Sequence, residues 1–174
     1  SASISAQSNL DCYDDDDGTA TAAGAFGTGP YGYSWNTTPQ AQTNAQATAL
    51  EAGTYICTVT DANGCIVTTS ATITEPALVV ASGTITHVDC NGNSTGSIDF
   101  GVVGGSGSYT YSWTDGASYS ATTEDISGLA AGTYTCTVTD ANSCTTTETV
   151  TITELAAILT ASSSQTNVNC NGAS

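Results

Sequence analysis

The chain repeats itself. Leu129–Cys144 (LAAGTYTCTVTDANSC) restates Leu50–Cys65 (LEAGTYICTVTDANGC) at an offset of 79 residues. The same step carries Cys12 to Cys90, Trp35 to Trp113, Tyr55 to Tyr134 and Glu75 to Glu154, within one residue. Cys90 recurs once more as Cys170. A period near eighty is too long for one turn of a solenoid and suits one small autonomous domain. The expected organisation is therefore repeat 1 over 1–76, repeat 2 over 77–154, and the first strand of a truncated third repeat over 155–174. With no initiator Met and no closing element, the sequence reads as an excerpt of a longer array.

Composition narrows the function classes. There is no Lys or Arg against 16 Asp and Glu, a net charge of −16. A counterion-releasing nucleic-acid surface and a basic patch for anionic lipid are both excluded. Only His87 and the amino terminus can carry positive charge, so carboxylates must be solvated, hydrogen-bonded to backbone amides or bound to cations. Leu, Ile, Val and Phe total 27 of 174 residues, a fraction that with high net charge suggests disorder below about 20%. Pattern overrides that statistic. The polar majority is Thr, 33 residues, which is β-branched and fits the outer face of a strand. Domains this small bury little surface and often need staples. Three cysteines per unit point to an oxidising, extracellular setting. No run approaches the roughly 18 apolar residues of a membrane span, and no signal peptide is present, so export is expected to be encoded elsewhere.

Alternation is the dominant period. Over 144–153, Cys144, Thr146, Glu148, Val150 and Ile152 take one face, while Thr145, Thr147, Thr149, Thr151 and Thr153 take the other. The preceding strand turns Tyr134, Cys136 and Val138 inward. Asp140-Ala-Asn-Ser, and its counterpart Asp61-Ala-Asn-Gly, read as hairpin turns. Upstream, Tyr31, Tyr33, Trp35 and Tyr109, Tyr111, Trp113 each set three aromatics on one face. Gly-rich turns separate them from strands near 18–26 and 96–103. About seven short strands per unit, with turns every 8–12 residues or so, form the signature of a β-sandwich.

Leu-x-Ala-Gly-Thr-Tyr-x-Cys resembles the tyrosine corner of immunoglobulin domains, with Tyr55 or Tyr134 two residues before a Cys and Trp35 or Trp113 as the core tryptophan. No Cys lies on the second strand, so the usual inter-sheet disulfide is missing. The whole order is more specific. It runs Cys, an Asp/Asn-rich stretch, Gly, an alternating strand, Gly-Gly-x-Gly, Tyr-x-Tyr-x-Trp, Leu-x-Ala-Gly-Thr-Tyr, Val-Thr-Asp-Ala-Asn-Gly-Cys and Ile-Thr-Glu-Pro. It resembles the SprB repeat of giant Bacteroidetes surface adhesins, including the mobile adhesin of gliding flavobacteria. The resemblance implies a type IX-secreted cell-surface protein and supplies no catalytic residue. The family pattern keeps a cysteine before the second strand and another opening the last. On that basis the expected disulfides are Cys12–Cys65 and Cys90–Cys144, each closing about fifty residues and worth about 2–4 kcal/mol. Cys57 and Cys136 read as small buried thiols, with pairing to Cys12 or Cys90, or between chains, as the alternative. Cys170 has no downstream partner in this excerpt, as expected if its unit is truncated.

Asp14, Asp15, Asp16 and Asp17 form the densest charge. A solvated acidic loop is the plainer reading. The sharper one is a calcium site completed by Asp61, although the second unit has Cys90-Asn-Gly-Asn-Ser-Thr-Gly96 there, without an acid. The aromatic triplets fit a core better than a sugar-stacking platform, since few other bulky residues exist to fill a sandwich. Zinc has no Cys-x2-Cys pair to bind it. The single His87 is not repeated, so nucleophilic catalysis has no support. Asn36-Thr-Thr and Asn93-Ser-Thr match the N-glycosylation pattern by chance in so Thr-rich a chain.

The expected fold is all-β: tandem immunoglobulin-like sandwiches of about 79 residues, end to end, semi-rigid because Glu75-Pro76-Ala77 leaves little room to swing. The expected function is non-enzymatic, as the structural or adhesive region of a secreted stalk or filament. Neighbouring copies or repeats are the partners, a surface glycan or substratum is a further one, and nucleic acid and membrane insertion are excluded. An array of glycan-binding modules and the accessory repeats of a larger surface enzyme are the alternatives.

Overall fold

The computed structural model describes residues 1–38 and 40–154. The expected third repeat and Cys170 lie outside the described residues. Among the described residues, every regular element is a strand. The first six are β1 (Ala2–Ser8), β2 (Gly18–Gly24), β3 (Gly32–Trp35), β4 (Gln46–Leu50), β5 (Gly53–Thr60) and β6 (Ile66–Ile73). They form two antiparallel sheets, β1-β2-β4 and β3-β5-β6. The next seven are β7 (Val80–Thr86), β8 (Gly96–Val103), β9 (Thr110–Thr114), β10 (Ser120–Ala121), β11 (Ile126–Leu129), β12 (Gly132–Thr139) and β13 (Thr145–Ile152). Their sheets are β7-β8-β11 and β10-β9-β12-β13. β10 is the one added strand. In the first sandwich the corresponding stretch is held instead by a backbone bond from Trp35 N–H to the Gln42 carbonyl.

Each sandwich has its own core. Trp35 and Trp113 are both 1% exposed, and their indole N–H groups donate to Asn44 and Thr123 carbonyls at 3.1 and 3.0 Å. The tyrosine corners close in both units, Tyr55 hydroxyl to the Glu51 carbonyl at 3.0 Å and Tyr134 hydroxyl to that of Ala130 at 3.1 Å. The cores differ in bulk. Where the second has Ile98, Phe100 and Val150, the first has Ala20, Ala22 and Ala71. Phe100 stands edge-on to Trp113 with ring centres 4.8 Å apart, an arrangement aromatic pairs favour. On the outer faces, Thr hydroxyls meet across strands at Thr54–Thr72, Thr133–Thr151 and Thr135–Thr149.

The two ends of a sandwich are built from different loops. At one end of the first unit, Ala25–Thr28 lies beside the β5–β6 hairpin, with Ala62 N–H bonded to the Thr28 carbonyl. At the other, Leu10 N–H donates to the Thr74 carbonyl just past β6. Eight residues of β6 therefore separate the ends by about 25 Å, at roughly 3.3 Å per residue. The strand after each Cys-bearing loop opens on a glycine because a carbonyl presses against it. A Cβ on Gly18 would sit 2.5 Å from the Leu50 oxygen, and one on Gly96 would sit 2.9 Å from that of Leu129 and 3.0 Å from an Ile152 methyl.

Gly96→Ala is therefore expected to lower the stability of the second sandwich by about 1–3 kcal/mol, the usual scale of overpacking. Gly101→Ala, with nothing within 4 Å of its Cβ, is the neutral control. Denaturant melts of both variants check this.

Candidate functional site

Two loops converge where the sandwiches join. The first, 9–17, is pinned to the end of β6. Leu10 is buried, Asn9 Oδ1 accepts from Thr74 N–H, and the Glu75 carboxylate accepts from Asp14 N–H at 2.9 Å. Asp14 takes a left-handed conformation, φ 59°, which Asp tolerates better than most residues. The second loop is the β12–β13 hairpin. Asp140 Oδ1 accepts from the amides of Asn142 and Cys144, and its Oδ2 accepts from Ser106 N–H at 2.8 Å. One carboxylate thus builds the turn and ties it to the neighbouring glycine loop.

The loops are covalently joined. Cys12 and Cys144 form a disulfide with Cα atoms 5.6 Å apart, across 132 residues of sequence. Beside it, the Asn142 amide donates to the Asp11 carbonyl at 2.9 Å. The connecting peptide lies in the same joint: Gly105 N–H bonds the Ala77 carbonyl, Val79 is buried, and any side chain on Gly104 (φ 84°) would overlap the Leu78 carbonyl. Backbone, disulfide and hydrogen bonds all cross from one unit to the next. In the chain-entropy picture, a closure this long stabilises by about 4–5 kcal/mol.

The expected pairs Cys12–Cys65 and Cys90–Cys144 are corrected by this geometry. Cys12 pairs with Cys144, while Cys65 and Cys90 are free and exposed. The reason is strand length. Cys12 and Cys65 sit at opposite ends of one sandwich, and so do Cys90 and Cys144. A disulfide needs Cα atoms within about 7 Å, and a full strand intervenes. The same fact separates Asp61 from Asp14, Asp15, Asp16 and Asp17. Those four are exposed to solvent, with Asp17 Oδ1 accepting from Asp11 N–H and Asp15 Oδ1 from Asp16 N–H. Among the described residues, no group of three or more His, Cys, Asp or Glu is placed to hold a metal. The tryptophans of the aromatic triplets lie in the cores and their tyrosines are half-buried against them. No residue-level signal named Asn142 or Asp11 in advance. Only the assignment of loops to opposite ends would have found them.

Cys57 and Cys136 are fully buried, and burial pushes both thiols above their ordinary pKa, with a lesser opposing pull from the Ser34 and Ser112 backbone. Such thiols are poor nucleophiles. A thiol reagent at neutral pH is therefore expected to label Cys65 and Cys90 in the native protein, and Cys57 and Cys136 only after unfolding. Peptide mass analysis reads the sites.

Burial works to raise the Asp140 pKa, but the amides of Ser106, Cys144 and Asn142 outweigh it and hold the group below the usual carboxylate value. A depressed folded pKa contributes stability that is complete above the unfolded value, about 3.9, and is lost as pH falls through the folded one. Thermal stability of the second sandwich should fall in that acid window, and Asp140→Asn should flatten the dependence. Melting curves from pH 6 downward, on an approximate scale set by those pKa values, check it.

The SprB repeat family matches residues 4–39 and 82–118, one segment in each sandwich. No curated protein matches the sequence. Among solved structures, the chain is similar to the amphioxus IgVJ-C2 molecule at 13% identity and a TM-score of 0.40, covering 83% of this chain and 99% of that one. It is similar to the IG1+IG2 pair of DIP-gamma at 9% identity and 0.39, covering 88% and 97%. Murine CEACAM1b follows at 11% and 0.35, covering 89% and 100%. Each two-sheet unit, closed by its own tyrosine corner, thus holds one segment similar to the SprB repeat, within an all-β, immunoglobulin-like sandwich.

Proposed function

We propose that this chain is a non-catalytic, load-bearing segment of an extracellular stalk or filament at a cell surface, where repetition supplies reach. The observation that carries the reading is the doubly connected joint. Successive sandwiches are linked both by the 74–79 backbone and by Cys12–Cys144, which leaves each unit little freedom to turn against its neighbour. SprB repeats belong to cell-surface proteins, and a disulfide of this kind persists in oxidising compartments. Among the described residues, no helix is long and apolar enough to cross a membrane. The Thr-covered outer faces and the net charge of −16 keep such a segment solvated and resist side-by-side collapse. Its partners are neighbouring repeats of the same kind, and adhesion to a glycan or substratum belongs to whatever part of the assembly such a stalk presents.

The experiment is small-angle X-ray scattering of the chain before and after reduction, with Cys12→Ser as a genetic equivalent. A load-bearing joint gives one extended envelope when oxidised and a broader distribution of dimensions when the bond is absent. Identical scattering in all three states would count against the reading. Electron cryo-microscopy of native surface material then places the units in stalks or filaments.

A further inference from the structure

We infer that Cys65 and Cys90 are the open halves of the same inter-repeat bond, and that in an array the loop cysteine of each repeat pairs with the hairpin cysteine of the next. This goes beyond the stalk reading and does not depend on it.

The two cysteines are related to the bonded pair by one repeat's translation along the chain. Cys65 stands where Cys144 stands, and its receptacle is built from the same bonds. Asp61 Oδ1 accepts from the amides of Asn63 and Cys65, and its Oδ2 from Thr28 N–H. Asp140 does the same with Asn142, Cys144 and Ser106. Ala62 bonds the Thr28 carbonyl as Ala141 bonds that of Ser106. One contact differs. The Asn142 amide reaches the Asp11 carbonyl of the preceding unit, whereas the Asn63 amide, with no such loop beside it, turns to Thr28 Oγ1.

Cys90 is presented as Cys12 is. Val88 N–H donates to the Thr153 carbonyl as Leu10 does to that of Thr74. Glu154 accepts from Gly92 N–H and the Asn91 amide, in the place where Glu75 accepts from Asp14. A donor loop and an acceptor hairpin therefore stand at opposite ends of the two-unit chain, matched to their bonded counterparts in these hydrogen bonds. Phe26 replaces the Gly104 against which the Leu78 carbonyl packs, so a linker arriving at the Cys65 end has to take a different path past that side chain.

The surface around Cys65 supports docking. It flanks an open cleft of about 250 Å³ edged by Phe26, Ile66 and Val67. Phe26 is 99% exposed and Ile66 68%, and Phe26 is held at φ 63°, a conformation an aromatic seldom adopts. The equivalent cleft of the second sandwich is lined on its far side by Cys12 and Tyr13 of the preceding unit together with the connecting peptide. The occupant of the Cys65 cleft is accordingly the cysteine loop of another repeat of this type. Bond formation takes two electrons and two protons from the two thiols. A small disulfide such as oxidised glutathione accepts them and leaves as two thiols.

The test inserts a second copy of residues 77–154 after Glu154 in the whole chain, with Ser143→Gly in the inserted copy to mark its hairpin peptide by mass. The protein is oxidised with glutathione disulfide, alkylated and digested with pepsin in acid, because it offers trypsin no Lys or Arg. The expected map links Cys12 to Cys144, and Cys90 to the marked hairpin. Cys90 bonded to the hairpin of its own unit, or left alkylated, overturns the inference. The unextended chain carrying Cys12→Ser gives an independent reading. Cys90 and the released Cys144 should then both alkylate, and a Cys90–Cys144 peptide would refute the pairing rule.

Discussion

The strand that closes each sandwich, eight residues long in both units, holds that unit's two cysteine-bearing loops at opposite ends. Everything about the joint depends on this separation. A disulfide spans only about 7 Å between Cα atoms, so neither cysteine can be satisfied within its own fold. The bond that stabilises a repeat has to come from its neighbour. The tyrosine corner and the core tryptophan make each sandwich, but the strand length makes the sandwiches interdependent.

A second constraint is the absence of cationic side chains other than His87. A chain with Lys and Arg would answer its acids with ion pairs. Here the structural carboxylates are answered by backbone N–H groups. Asp140 organises three of them at the hairpin, Asp61 three more, and Glu75 fastens the Cys12 loop through Asp14. Hydrogen bonds from amides to ionised carboxylates are stronger than neutral ones, and they have fixed direction. The acids therefore position loops, and the same two loops are the ones that meet at the joint.

Much of this was legible from residues. Thr alternation along 144–153 gives the inner and outer faces, since a strand presents successive side chains to opposite sides. Leu-x-Ala-Gly-Thr-Tyr-x-Cys marks the corner because a Tyr two residues before the Cys can reach back to its own chain. The disulfide pairing was not legible in the same way. Equal spacing in both units makes Cys12 with Cys65 look self-contained, and a one-dimensional spacing carries no information about which end of a strand a loop occupies. The information was present indirectly. A cysteine before β2 and one opening β6 sit at opposite ends of any sandwich with this connectivity. Likewise Asn142 reads as an ordinary turn residue until the neighbouring unit supplies Asp11. The calcium alternative for the acidic run rested on the same pairing, because its proximity to Asp61 followed only from that bond.

The bond between Cys12 and Cys144 also has a temporal meaning. A chain that emerges from its amino end exposes Cys12 long before Cys144 exists, with 132 residues still to come. Meanwhile the early alternatives are withdrawn by folding itself: Cys57 enters the core and Cys65 moves to the far end of its strand. The correct partner becomes reachable only when the second hairpin has formed on a finished sandwich. Closure of the bond thus works as a checkpoint, a covalent receipt issued only when two consecutive units are both correctly folded.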